Sequence, residues 1–116
     1  MIIGVHHLSI IASSEETVLF YKKLGFKEYK RIERRYDTVV ILDGYGIGME
    51  IYVDPTHPPR ERPEPLGLRH LSLRVDKIEN TVKELKLENG IIVQDWVGVN
   101  YCFINDPDGN VIQLHE

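Results

Sequence analysis

Four side chains with metal-binding chemistry recur at one fixed spacing in this chain. His7 opens the string "HLSI" and His70 opens "HLSL", an offset of 63 residues (70 − 7). Glu50 follows His7 by 43 residues (50 − 7), and Gln113 follows His70 by the same 43 (113 − 70). Imidazole nitrogens and carboxylate or amide oxygens are all ligands of divalent transition metals. A lone histidine in a strand is usually a hydrogen-bonded structural residue, but four donors at matching positions of a repeat predict a metal site.

The same offset relates the elements that must position these donors. Each half of the chain is predicted to form a strand, a helix and about three further strands, which is a βαβββ module. The first helix is expected to begin at a capping box of Ser13 and Glu16 and to end at Gly25. The second helix is expected to repeat this pattern from Asp76 to the dipeptide at 89–90.

Further strands and turns complete each module. Strands are predicted at 27–33, 38–42, 91–95 and 99–104. Before each last strand, the turn string "ILDGYG" overlays "INDPDG" at the offset of 63. This overlay aligns three pairs of residues: Ile41 with Ile104, Asp43 with Asp106, and Gly46 with Gly109.

Strand alternation predicts which side chains share a face with the donors. His7 and Ser9 fall on one face of the first strand, and Glu50 and Tyr52 fall on one face of the last strand of the first module. The opposite faces are aliphatic and are expected to be covered by the helices. His6 has the opposite parity to His7, so alternation leaves His6 out of the predicted site.

Length and composition limit the class of protein. With 116 residues, the chain is expected to form a single α+β domain over 1–116, with modules at 1–53 and 67–116 and a connector at 54–66. The connector holds five of the six prolines, which is typical of an extended linker; a proline-rich ligand for a partner is the alternative. A net charge of −4 gives no reason to expect a nucleic-acid surface. The lone Cys102 and an N-terminus with no basic leader favour a cytoplasmic protein that does not bind membranes.

Five strings of the sequence resemble the glyoxalase I, or vicinal oxygen chelate, superfamily, which includes bleomycin-resistance and dioxygenase relatives. They are "VHHLSIIAS", "FYKKLGF", "GMEIY", "GLRHLSLRVDKI" and "DPDGNVIQLHE", and together they span nearly the whole chain. The chain resembles in particular the short bacterial members of the YaeR type. The resemblance implies paired βαβββ modules whose sheets form a half-barrel around one divalent metal (Ni, Zn, Mn, Co or Fe). It also implies a homodimer, and it places the metal ligands at His7, Glu50, His70 and Gln113.

The resemblance implies a reaction as well. Glyoxalase-type catalysis chelates two neighbouring substrate oxygens to the metal and stabilises the enediolate that forms when a base removes the adjacent proton. The expected function is a metal-dependent lyase or isomerase of the lactoylglutathione lyase type, acting on a small substrate such as a hemithioacetal. Glyoxalases have glutamate where this chain has Gln113, whose amide cannot accept a proton near neutral pH. Glu50 is therefore the expected catalytic base.

The sequence is also compatible with functions of other classes. Two histidines and one glutamate also match the facial triad of non-haem Fe(II) dioxygenases. A fosfomycin-type thiol transferase uses the same scaffold with similar ligands, and antibiotic-binding proteins share the fold without catalysis. Val99-Asn100 stands where similar short bacterial sequences often carry a Lys-Arg pair, so the resemblance does not imply the same anionic substrate. The side chains expected to contact the substrate are Arg34, Arg35, Arg74, Tyr52 and Tyr101.

Overall fold

The computed structural model describes residues 1–88 and 90–116 and confirms the predicted α+β class. The chain divides into two compact units, Met1–Pro59 (unit 1) and Arg60–Glu116 (unit 2). Both units follow the predicted βαβββ order, and their organisation as a single domain remains a prediction. Over the described residues, neither helix has the length and apolar character needed to cross a membrane.

Unit 1 contains four strands and one helix: β1 (His7–Ala12), α1 (Glu15–Leu24), β2 (Lys27–Glu33), β3 (Thr38–Gly44) and β4 (Ile47–Val53). Unit 2 contains the same set: β5 (His70–Arg74), α2 (Ile78–Glu84), β6 (Val93–Gln94), β7 (Asn100–Asn105) and β8 (Val111–His115).

The sheet of unit 1 has one buried face and one polar face. β1 pairs in parallel with β4, and β3 pairs antiparallel with both β4 and β2, so the order is β1-β4-β3-β2. Met49 and Ile51 of β4 are fully buried, as period-two alternation predicts. Helix α1 buries Val18 and Tyr21 and contacts β1. The other face of β1 and β4 carries the predicted ligands of this unit.

The N-cap of helix α1 lies one residue after the predicted cap. The N-cap is Ser14, whose hydroxyl accepts a hydrogen bond from Glu16 N at 3.2 Å, so Ser13 is wrong as the cap. With Ser14 as the cap, both Glu15 and Glu16 fall in the first turn, where the helix dipole stabilises negative charge. Gly25 ends the helix in the left-handed region (φ 114°), as predicted.

Unit 2 has the equivalent sheet order, β5-β8-β7-β6, but its outer elements are shorter than predicted. Helix α2 begins after Lys77, and Ile78 N donates to Glu116 Oε2 at 3.0 Å. The predicted capping box is wrong, because Asp76 Oδ1 accepts from Lys77 N at 2.6 Å instead. Strand β6 has two residues instead of the five expected. The predicted helix end at Asn89 lies outside the described residues.

The strands that carry the predicted ligands pair in the same register in both units. Ser9 lies opposite Glu50 across β1 and β4, and Ser72 lies opposite Gln113 across β5 and β8. Each residue of the second pair follows its counterpart by 63 positions (72 − 9 and 113 − 50). Glu50 and Gln113 therefore occupy equivalent positions of the two sheets, as the repeat predicts.

The antiparallel partners of these strands are shifted by one residue between the units. On β3, Ile41 lies opposite Glu50, but on β7 the residue opposite Gln113 is Phe103 and not Ile104. The predicted overlay of Ile41 on Ile104 is therefore wrong. The cause is turn length, because two residues connect β3 to β4 and five connect β7 to β8.

A charged cluster on unit 1 makes stability depend on pH. Hydrogen bonds from Arg31 and Lys22 lower the pKa of the Glu28 carboxyl to about 2. Because this value lies below the ordinary 4.5, the carboxylate stabilises the fold above pH 4.5 and loses that contribution as the pH falls toward 2. Glu28→Gln is expected to lower the free energy of unfolding by about 1 kcal/mol at pH 7. This destabilisation is expected to become smaller as the pH falls below 4.5.

Urea unfolding of wild type and Glu28→Gln across this pH range measures the difference. The matched control is Glu61→Gln, because Glu61 is exposed and its variant is expected to unfold like the wild type. A loss in Glu28→Gln that stays constant down to pH 3 would contradict the electrostatic explanation.

Candidate metal centre

Strands β1 and β4 place the two predicted ligands of unit 1 side by side. His7 begins β1, and Glu50 lies in the middle of β4 on the same face of the sheet. His7 Nδ1 lies 3.3 Å from Glu50 Oε2, and both side chains are partly exposed. The structure thus brings this pair together where a small molecule can reach it.

His6 joins this pair, although strand alternation predicts that it points away. His6 Nδ1 lies 2.8 Å from His7 Nδ1, and the donor atoms of His6, His7 and Glu50 all lie within 4.8 Å of one another. Alternation does not extend to His6, because β1 begins at His7, so strand parity gives no reason to leave His6 out. The signal in the sequence was the His-His doublet at a strand start. Two imidazoles and a carboxylate are donors that Zn²⁺, Ni²⁺ and Fe²⁺ accept, so this set fits a divalent cation.

A cavity of about 330 Å³ lies beside this cluster in unit 1. Gly48 leaves it open, because a Cβ at this position would lie 3.0 Å from the His6 carbonyl oxygen and 3.2 Å from His7 Cβ. Tyr29 and Asp43 contribute its other polar groups. The volume is within the range of small-molecule sites, so a compact polar ligand fits next to the donors.

Tyr52 and Arg34 form an outer layer around the Glu50 carboxylate. Tyr52 Oη donates to Glu50 Oε1 at 3.3 Å, while Oε2 faces His7. The Arg34 guanidinium lies over the Tyr52 ring, 5.3 Å from its centroid, and forms a bidentate pair with Asp37 at 2.6 Å. This pair raises the pKa of Arg34 and lowers that of Asp37. Tyr52 thus contacts Glu50 directly and Arg34 contacts Tyr52, and the contact of both with substrate remains a prediction.

Removal of the Tyr52 hydroxyl is expected to weaken metal binding. Tyr52→Phe removes the hydrogen bond to Glu50 Oε1, so the carboxylate group can rotate. The loss of a hydrogen bond that orients a metal ligand lowers metal affinity by about tenfold. Competition between the protein and a chromophoric chelator for Zn²⁺ measures the change. Tyr36→Phe is the matched control, because the exposed Tyr36 ring also stacks with Arg34. Equal affinity of Tyr52→Phe and wild type would contradict the positioning role.

Unit 2 presents His70 and Gln113 at the equivalent positions of its own sheet. Gln113 lies between Ser72 of β5 and Phe103 of β7. The Phe103 ring meets the His70 ring edge-on, with centroids 5.2 Å apart, and Arg69 Nη1 lies 3.2 Å from His70 Nδ1. The imidazole is thus held by an aromatic ring and a guanidinium. That His70 and Gln113 bind the same metal as His7 and Glu50 remains a prediction.

A second polar cluster on β8 is absent from the sequence predictions. His115 Nε2 lies 3.2 Å from Asp95 Oδ2, and the His115 ring stacks on Tyr101 with centroids 6.3 Å apart. Hydrogen bonds from the Val99 backbone N–H and from His115 lower the pKa of Asp95. His115 follows Gln113 by two residues and shares its face, and this spacing is the signal that could have identified it. Tyr101, predicted to contact substrate, is packed against this histidine.

Arg35 and Arg74, the remaining predicted substrate contacts, are both exposed. Arg74 ends β5 opposite His115 of β8, on the face that carries Gln113. Arg35 lies in the turn between β2 and β3. Their roles in substrate binding remain predictions.

Comparison with known proteins decides the family. The model of the Glyoxalase/Bleomycin resistance protein/Dioxygenase superfamily matches residues 4–114. The chain belongs to this superfamily. The uncharacterized protein YwkD of Bacillus subtilis (strain 168) is 34% identical to it over 97% of this chain and 96% of YwkD. The uncharacterized protein YaeR of Escherichia coli (strain K12) is 32% identical over 97% of this chain and 95% of YaeR.

A solved structure supports the same assignment. The glyoxalase family protein from Enterococcus faecalis is 32% identical, with a TM-score of 0.87 over 97% of both chains. The resemblance inferred from the sequence strings is therefore confirmed, including the likeness to YaeR. Members of the superfamily usually use a divalent metal, act on small molecules and commonly form dimers.

Proposed function

We propose that this protein is a divalent-metal-dependent lyase or isomerase of the glyoxalase I type, acting on a small substrate with two neighbouring oxygens. The observation that carries this proposal is the contact between His7 and Glu50 beside the unit 1 cavity. Their equivalents in the repeat, His70 and Gln113, would complete a set of two imidazoles, one carboxylate and one amide. Superfamily membership supports the same class of reaction.

The proposed ligands of one divalent metal per site are His7, Glu50, His70 and Gln113. A bound divalent cation polarises the two substrate oxygens and stabilises the negative charge that develops when the adjacent proton leaves. With a single carboxylate, the site has a net charge of about +1, whereas two carboxylates would make it neutral. The cation is therefore expected to be a stronger Lewis acid but less tightly held.

The chain's own residues supply the remaining chemistry. Glu50 acts as the catalytic base that accepts the substrate proton, since the amide of Gln113 cannot. Tyr52 fixes one Glu50 oxygen, and the side chain missing at Gly48 leaves room for the substrate beside His7. Further contacts to the substrate are proposed for Arg34, Arg35, Arg74 and Tyr101.

One observation favours a second candidate function. His6, His7 and Glu50 form a two-histidine, one-carboxylate set within unit 1, which is the donor set of non-haem Fe(II) oxygenases. Oxygen uptake by the Fe²⁺-loaded protein with a catechol substrate would favour this candidate. Isomerisation of a hemithioacetal without oxygen uptake would favour the first.

Elemental analysis of untagged protein is the test of the metal proposal. We expect about one metal per site in the wild type and much less in His70→Ala. Protein loaded in turn with Ni²⁺, Zn²⁺, Mn²⁺, Co²⁺ and Fe²⁺ is then assayed with the hemithioacetal of methylglyoxal and glutathione. A protein that retains none of these metals and takes up none would contradict the proposal.

We also propose that the two units act as one domain and that the chain forms a homodimer, as superfamily members commonly do. Light scattering on the purified chain is the measurement. A mass of 13.4 kDa, that of one chain, would contradict the dimer.

A further inference from the structure

We propose that His6 is a third metal ligand supplied by unit 1, so that this unit holds a divalent cation through His6, His7 and Glu50 before unit 2 contributes. The inference rests on the proposed metal-dependent function and adds to it a ligand that the repeat does not predict. It is carried by the convergence of three donor atoms within 4.8 Å on a partly exposed face.

Two of the three separations between the donors are close to those expected around one cation. Ligand atoms about 2.1 Å from one metal lie roughly 3.0–3.4 Å apart in octahedral or tetrahedral geometry. The two imidazole Nδ1 atoms are 2.8 Å apart, and His7 Nδ1 lies 3.3 Å from Glu50 Oε2. Two ring nitrogens this close require either a hydrogen between them or a common cation, since their lone pairs repel each other. His6 precedes the first hydrogen-bonded residue of β1, so its ring can adjust without breaking the sheet.

Unit 2 cannot make the same set. The residue equivalent to His6 in the repeat is Arg69 (69 − 6 = 63), whose guanidinium is always charged and has no lone pair to donate. Its Nη1 lies 3.2 Å from His70 Nδ1, where His6 approaches His7 in unit 1. Unit 1 therefore offers three donors and unit 2 offers two, His70 and Gln113.

This asymmetry affects how strongly each unit is expected to bind the cation. Gln113 supplies a neutral amide where a carboxylate would attract the cation more strongly. An additional imidazole in unit 1 offsets part of that loss without adding charge. Most of the metal affinity is therefore expected to come from unit 1.

The test is a Co²⁺ titration followed by visible absorption, on wild type and on the variants His6→Ala, His6→Asn, His70→Ala and His6→Ala/His70→Ala. His57→Ala is the matched control, because His57 is exposed and pairs with Asp54. We expect His6→Ala to weaken Co²⁺ binding 10- to 100-fold and to change the absorption bands, with His6→Asn behaving alike. We expect His70→Ala to bind Co²⁺ more weakly than the wild type, at a level that the titration still detects, and the double variant to lose binding.

The outcomes separate this inference from the function on which it rests. Wild-type affinity and spectrum in His6→Ala, with thermal melting unchanged, would overturn the His6 ligand and leave the four-ligand proposal standing. Loss of binding in His6→Ala with no effect of His70→Ala would support His6 and overturn the role of unit 2. A wild type that binds no Co²⁺, Zn²⁺ or Ni²⁺ would overturn both.

Discussion

Replacing Glu50 with glutamine is expected to abolish turnover while leaving the fold intact. Glu50 is the only carboxylate among the four proposed ligands, and its substitution by an isosteric amide removes the oxygen that accepts the substrate proton. The loss of general-base catalysis alone costs about 10²- to 10⁴-fold, and the weaker electrostatic hold on the metal adds to it. The change in volume is small and the side chain is partly exposed, so the free energy of unfolding is expected to stay nearly constant.

The measurement is kcat with the hemithioacetal of methylglyoxal and glutathione, at saturating metal and with bound metal counted in the same samples. This design separates a missing base from a missing metal. Gln113→Glu is the informative partner variant, because it restores the two-carboxylate set of glyoxalases and is expected to bind metal more tightly. Full activity of Glu50→Gln at full metal occupancy would assign the base to another residue.

Filling the position of Gly48 is expected to weaken metal binding about 100-fold. A Cβ at this position meets the His6 carbonyl at 3.0 Å and His7 Cβ at 3.2 Å, so the branched side chain of Gly48→Val must displace the start of β1. That displacement moves His7 away from Glu50 and fills the cavity beside them. Unit 2 carries Val111 at the equivalent position, where it lies opposite His70.

The matched control for this prediction is Gly4→Val, since a Cβ at Gly4 meets no atom within 4 Å. Zinc affinity by chelator competition and urea unfolding are measured on both variants. We expect Gly4→Val to behave like wild type in both measurements. If Gly48→Val kept its zinc affinity, the cavity and the donor cluster would be independent of each other.

The strands that bear the ligands could be predicted because two independent patterns agree on them. Period-two alternation marks β4 and β8 as half-buried strands, and the offset of 63 residues shows which of their residues correspond. The structure adds what these patterns do not give: β1 pairs in parallel with β4, and β5 pairs in parallel with β8 in the same register. The repeat predicted that His7 and Glu50 lie near each other, and the structure places His7 Nδ1 3.3 Å from Glu50 Oε2.

What could not be predicted depends on contacts between distant parts of the chain. Glu116 caps the first turn of α2 from 38 positions away, so local capping rules pointed to Asp76 instead. The pair of His115 and Asp95 joins residues 20 positions apart. His6 was missed for a different reason, because alternation fixes side-chain direction only inside a strand, and β1 begins one residue later.

The one-residue shift between the two hairpins affects the neighbours of the proposed metal ligands but not the ligands themselves. The parallel pairs that carry the donors keep the same register, while the neighbouring antiparallel strand slides by one position when its turn is longer. Sliding exchanges Ile41 for Phe103 as the neighbour of the donor on the central strand. Turn length is thus a design variable: a one-residue insertion between β3 and β4 is expected to change which β3 residue lies beside Glu50 without mutation of any proposed ligand. Libraries that vary these turns would explore substrate shape while the metal chemistry stays constant.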